Sequence, residues 1–117
     1  MMFRGTELVA VAMAPPQPAG KVRVLTVEMY EDGLIVRYVL PDFELPVGGD
    51  IDRPWEPVDM AVEDDTGTEY EWASGGGGSS DGGPFRGEEA FTPAVPGDAR
   101  RLIVRSESGA VKLELDR

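Results

Sequence analysis

Residues 58–72 read VDMAVEDDTGTEYEW. Val58, Met60 and Val62 alternate with Asp59, Ala61 and Glu63, and further on Thr68, Tyr70 and Trp72 alternate with Glu69 and Glu71. Alternation of period two marks strands with one buried and one solvated face. Between them, Asp65-Thr66-Gly67 suits a three-residue hairpin loop whose last position is left-handed, a conformation glycine adopts at no steric cost. The pattern therefore predicts a β-hairpin in which Asp64 pairs with Thr68, Val62 with Tyr70 and Met60 with Trp72, these aromatics facing the core. The same register sets Glu63 against Glu69 on the wet face, with Glu71 diagonal to Glu63. Like charges so placed are destabilising by a few tenths to roughly 1 kcal/mol. Such a hairpin needs a cationic neighbour within the fold or offers its charge to a partner.

Working outward, Lys21 to Tyr30 and Leu34 to Leu40 flank Asp32-Gly33, a two-residue type I′ hairpin signal. That register opposes Met29 to Val36 and Val27 to Tyr38 on the core face, and Glu28 to Arg37 on the outer face. A further strand runs from about Phe3 to Met13. It is apolar on both faces, as suits a strand covered on both sides or one at an edge beneath a loop, and Pro15, Pro16 and Pro18 end it. Residues 41–57 hold four prolines and five acids and read as a long loop, with Phe43, Leu45, Ile51 and Trp55 tucked onto the rim. Residues 74–87, SGGGGSSDGGPFRG, read as a flexible loop with no apolar side chain in 74–83 to offset the cost of ordering. Its role, if it has one, is to fold over a ligand or partner through Asp81, Phe85 and Arg86. A short strand from Glu88 to Phe91 and a corner at 92–98 lead to strands Ala99 to Arg105 and Ala110 to Leu115. In these, Leu102, Val104, Val111, Leu113 and Leu115 face in, and Arg101, Arg105, Lys112 and Glu114 face out.

No segment has helical periodicity. Seven or eight short strands at this spacing predict two packed antiparallel sheets in a single domain, residues 1–20 forming a strand and proline-rich connector and 21–117 the sandwich. The run Val62-Glu63-Asp64-Asp65-Thr66-Gly67-Thr68-Glu69-Tyr70, followed by Phe91-Thr92-Pro93 and Leu102-Ile103-Val104, resembles bacterial immunoglobulin-like domains of unknown function, frequent in actinobacteria. The resemblance spans roughly residues 22–115 and implies an all-β, immunoglobulin-like antiparallel β-sandwich. Its motifs are structural, so it implies a fold and no activity. Some such domains are attached to exported or anti-sigma proteins. This sequence carries neither their anchor nor their signal, so the expected location is cytoplasmic.

Composition narrows the function. The 117 residues contain no cysteine and no histidine, which removes thiol nucleophiles, thiolate metal sites, disulfides and the commonest general base. The expectation is a non-enzymatic module without a cofactor. The net charge is −11, and its distribution is uneven. From Asp42 to Glu71 there are eleven acids and one base, Arg53, while the remainder has eleven acids and ten bases. Nucleic acid and anionic membrane gain no counterion release from such a surface. No apolar run approaches the ~20 residues that span a bilayer. The favoured partner is a protein with a basic surface, bound through Asp50, Asp52, Asp59, Glu63, Glu69 and Glu71; the composition is also compatible with a homo-oligomer. Two alternatives stay open. One is a calcium or small-ligand site in which Asp64, Asp65 and Asp81 join Asp50 and Asp52, although no EF-hand spacing is present. The other is an acidic mimic of nucleic acid. The basic cluster of Arg100, Arg101, Arg105 and Lys112 is expected to lie beside the acidic hairpin, with Arg101 and Arg105 relieving Glu63, Glu69 and Glu71.

Overall fold

The alternating segments become eight strands in the computed structural model, which describes residues 7–41, 59–78 and 84–115. They are β1 (Leu8–Met13), β2 (Arg23–Tyr30), β3 (Gly33–Leu40), β4 (Ala61–Asp64), β5 (Glu71–Gly78), β6 (Phe85–Thr92), β7 (Arg101–Ser106) and β8 (Gly109–Glu114). Five form one sheet in the order β1-β2-β3-β6-β5, and three form the other in the order β4-β7-β8. Every pairing is antiparallel, and the described residues contain no helix. One core lies between the sheets. Val27, Met29, Leu34, Val36, Phe85 and Phe91 of the larger sheet meet Met60, Val62, Leu102, Val104 and Leu113 on the side of the smaller one. Burying each of these side chains contributes roughly 1.5–3 kcal/mol.

The first hairpin keeps its expected sidedness but not its register. Tyr30 pairs with Gly33, Met29 with Leu34 and Val27 with Val36, so the turn is Glu31-Asp32 and not Asp32-Gly33. The type I′ loop expected at Asp32-Gly33 is absent: Gly33 is paired with Tyr30 and does not have the positive φ found at Gly67 and Gly109. Sliding the strands by two residues returns every side chain to its face, so Met29, Val36 and Tyr38 stay buried. Glu28 and Arg37 are no longer opposite, yet they remain joined diagonally at 3.0 Å. Arg37 also reaches Glu88 at 2.9 Å, tying β2, β3 and β6 together on the outer face.

The hairpin expected at 58–72 does not form. β4 pairs with β7 in the smaller sheet, and β5 pairs with β6 in the larger. The connection between them crosses from one sheet to the other. Its shape is set by Asp64, whose Oδ1 accepts from Thr66 N (2.8 Å), Thr66 Oγ1 (2.8 Å) and Thr68 N (3.1 Å), while Oδ2 accepts from Tyr70 Oη (2.7 Å). These bonds consume the groups a hairpin would have used. Gly67 does take the left-handed conformation, with φ of 84°. The crossover also avoids opposing Glu63 to Glu69. Met60 and Val62 are buried as expected, and Tyr70 packs against the core from a partly buried position. Trp72 does not: it is 59% exposed.

The glycine run is a strand and not a loop. Gly75 to Gly78 pair in register with Glu89 to Arg86. Glycine is tolerated because aromatic rings fill the space that side chains would have taken. A Cβ on Gly77 would meet the Arg86 carbonyl, Gly87 Cα (2.7 Å) and Phe85 Cζ (2.8 Å), and one on Gly87 would meet the Tyr38 ring at 2.5 Å. The backbone bonds to β6 and these rings supply the compensation that composition does not reveal. The strand expected at 88–91 accordingly begins at Phe85. Phe43, Leu45, Ile51 and Trp55, and the part of the first strand before residue 7, lie outside the described residues.

Candidate functional site

β4 and β5 end their respective sheets and are consecutive in the chain, joined by residues 65–70. Among the described residues they make one open side of the sandwich. Four of the expected partner-binding residues fall here: Asp59 just before β4, Glu63 on it, Glu69 in the crossover and Glu71 at the start of β5. All four are exposed. Asp50 and Asp52, the other two, lie outside the described residues.

The four differ in how their charge is met. β7 runs beside β4, and Arg105 Nε reaches Glu63 Oε1 at 2.8 Å, relieving it as expected. Arg101 instead turns to Glu114 on β8 at 3.0 Å. Asp59, Glu69 and Glu71 have no ion-pair partner among the described residues. The margin therefore retains net negative charge after internal pairing. Trp72 sits next to Glu71 with more than half of its surface exposed. Its alternation with Tyr70 points to the core in sequence terms. The change of sheet and the irregular pairing between Trp72 and Ser74 place it at the rim.

Asp64 and Asp65, the described members of the alternative metal set, are engaged with their own chain. The bonds to Asp64 are given above; burial pushes its pKa up, and the bonds from Tyr70, Thr66 and Thr68 outweigh that and bring it to about 2. Asp65 Oδ1 accepts from the backbone N–H of Arg100 (2.9 Å) and Arg101 (3.3 Å), and these hold its pKa below the ordinary value. Both carboxylates act as anchors, the first within the crossover and the second between it and β7. Asp81 lies outside the described residues. Among the described residues no group of three or more acids is placed to hold a metal ion.

One carboxylate of this region was not anticipated. Glu89 on β6 is 7% exposed and is the only buried charged residue among those described. In the alternation Phe85, Gly87, Glu89, Phe91 it occupies an inward position, beneath β5 at Gly75. A Cβ on Gly75 would collide with its carboxylate, so the glycine makes room for it. Burial pushes the Glu89 pKa up to about 7; a hydrogen bond from the Trp72 indole opposes the rise, and Glu88 adds to it. The sequence signal was that alternation, visible only once the strand is started at Phe85.

Comparison of the chain with protein-family models, with curated proteins and with solved structures finds no match.

Proposed function

We propose that this chain is a non-enzymatic, immunoglobulin-like interaction domain that docks a basic protein surface on the β4–β5 margin. The fold part of the reading is supported by strand order. Without β1, the sheets run β2-β3-β6-β5 and β4-β7-β8, which is the ABED and CFG arrangement of a constant-type immunoglobulin domain. β1 is then an additional strand beside the first.

The interaction part rests on one observation: exposed Trp72 stands beside Glu71 and Glu69, acids that no described cation neutralises. Exposed tryptophan is costly to leave in water and is enriched among residues that dominate binding energy. Uncompensated charge around it speeds association with an oppositely charged surface and fixes its orientation. A cationic surface can also meet the indole face directly through its Arg or Lys side chains.

The test compares the wild-type chain with a Glu69→Lys/Glu71→Lys variant, using a lysine- and arginine-rich peptide as probe and indole fluorescence as readout. Binding at low salt is expected, weakened at least tenfold in the variant. It should also weaken at about 0.5 M salt, where the screening length falls to roughly 4 Å. Equal binding by both proteins would overturn the assignment of the margin. No binding by either would count against a basic partner.

A further inference from the structure

We propose that β1 is a self-association edge, on which two copies of the chain pair antiparallel about a two-fold axis at Val11. Among the described residues β1 ends the five-stranded sheet and pairs only with β2. The Ala14 N–H donates to the Leu25 carbonyl at 3.0 Å. Backbone groups alternate in direction along a strand, so Ala12 and Ala10 also turn toward β2, and Met13 and Val11 turn theirs to the open edge. Two of the usual guards, charge and proline, are missing from that edge, and its one irregularity, a register shift between Leu8 and Ala10, lies on the N-terminal side of Val11. The strand LVAVAM contains no charge and no proline. Its side chains are apolar and exposed: Leu8 51%, Val9 60%, Val11 48% and Met13 73%.

The occupant follows from charge. A second copy brings a strand that is itself uncharged, and the antiparallel arrangement is self-complementary. Val11 meets Val11, and Ala10 meets Ala12 on the inner face, while Met13 comes opposite Val9, where β1 has its register shift. The axis also carries the Glu7 end of one strand to the far end of the other, where Arg23 lines a groove with Pro15 and Pro16. Glu7 and Arg23 are both exposed, and neither has an ion-pair partner among the described residues. Repulsion does not prevent the approach, although each chain carries −11. β5 and the acidic margin lie at the other end of the sheet. In a continuous ten-stranded sheet, at about 4.8 Å per strand, the two β5 strands are roughly 43 Å apart. That is several screening lengths at physiological salt.

A pairing of one short strand from each copy buries little surface, so the dimer is expected to be weak and concentration-dependent. Sedimentation velocity of the 117-residue protein across a hundredfold concentration range should show a rise from monomer toward dimer. Val11→Lys sets like charges opposite one another at the axis and should leave monomer throughout, with an unchanged circular dichroism spectrum because Val11 faces outward. The absence of native cysteine permits a second readout. Val11→Cys should oxidise to a covalent dimer, since directly opposed Cα atoms in such a pair are about 5.5 Å apart, within disulfide reach. Val9→Cys, which opposes Met13, should cross-link far less. Glu7→Lys should weaken the dimer, and Glu7→Lys with Arg23→Glu should restore it. A wild-type protein that stays monomeric, or cross-linking at position 9 equal to that at 11, would overturn the proposal.

Discussion

Glu89 and Asp64 are carboxylates at two ends of β5's approach, and their surroundings drive them in opposite directions. Glu89 is buried under Gly75 with one indole donor, and its pKa rises to about 7. Its proton is thus held more tightly in the folded than in the unfolded chain. Glu89→Gln keeps an acceptor for Trp72 and removes the ionisation. At pH 8 this variant is expected to be more stable than wild type by about 2 kcal/mol, and at pH 5 within about 1 kcal/mol of it. Urea denaturation at the two pH values measures this, and an equal difference at both would show that ionisation is not the cause. Asp64 instead accepts four hydrogen bonds, two from backbone N–H groups. Asp64→Ala should cost about 2–3 kcal/mol, and Tyr70→Phe about 1 kcal/mol, because part of the Tyr70 contribution passes through this bond. A double-mutant cycle between the two positions should return a coupling above about 0.5 kcal/mol. Additivity would separate Tyr70 from the crossover.

At the scale of the element, β5 separates what alternation reveals from what it hides. Sidedness was legible wherever one face is apolar: Val27, Met29, Val36, Met60, Val62, Leu102 and Leu113 are all buried as expected. Pairing was not, because period two is unchanged by a two-residue slip at Glu31-Asp32 and is indifferent to which sheet receives the strand after Gly67. The acidic margin was legible in part: Asp59, Glu63, Glu69 and Glu71 are exposed on one side, but Trp72 was assigned to the core by the hairpin register. The glycine run was misread because composition shows the entropy cost of ordering and conceals rings on a neighbouring strand. That explanation discriminates between glycines. Gly77 faces Phe85 and the β6 backbone, whereas a Cβ on Gly76 meets nothing within 4 Å. Gly77→Ala is expected to cost about 1–3 kcal/mol through overpacking. Gly76→Ala should be neutral or stabilising by a few tenths of a kcal/mol, since it reduces the freedom of the unfolded chain. Equal thermal shifts would mean that 75–78 is not held as a strand.

Across the whole molecule these carboxylates combine with net charge to set the pH of greatest stability. The Glu89 contribution is fully present below the unfolded glutamate pKa, near 4.5, and is lost as pH rises through about 7. The Asp64 contribution is fully present above the unfolded aspartate value, near 3.8, and is lost as pH falls through about 2. Both are near their full strength only around pH 4–5. The self-repulsion of a chain with 22 acids and 11 bases also falls as the ordinary carboxylates begin to take up protons in that range. The chain should therefore be most stable near pH 4.5–5, on the acid side of neutrality. Its thermal midpoint at pH 8 should be lower and should rise on adding salt, which screens the repulsion. Scanning calorimetry from pH 3 to 8, at low and at high salt, checks both parts. Glu89→Gln should flatten the slope between pH 5 and 8 and leave the salt effect in place, because the two have separate origins. A wild-type maximum at pH 7 or above would mean that Glu89 titrates as an ordinary solvent-facing acid and that the cover formed by Trp72 and β5 does not persist in solution.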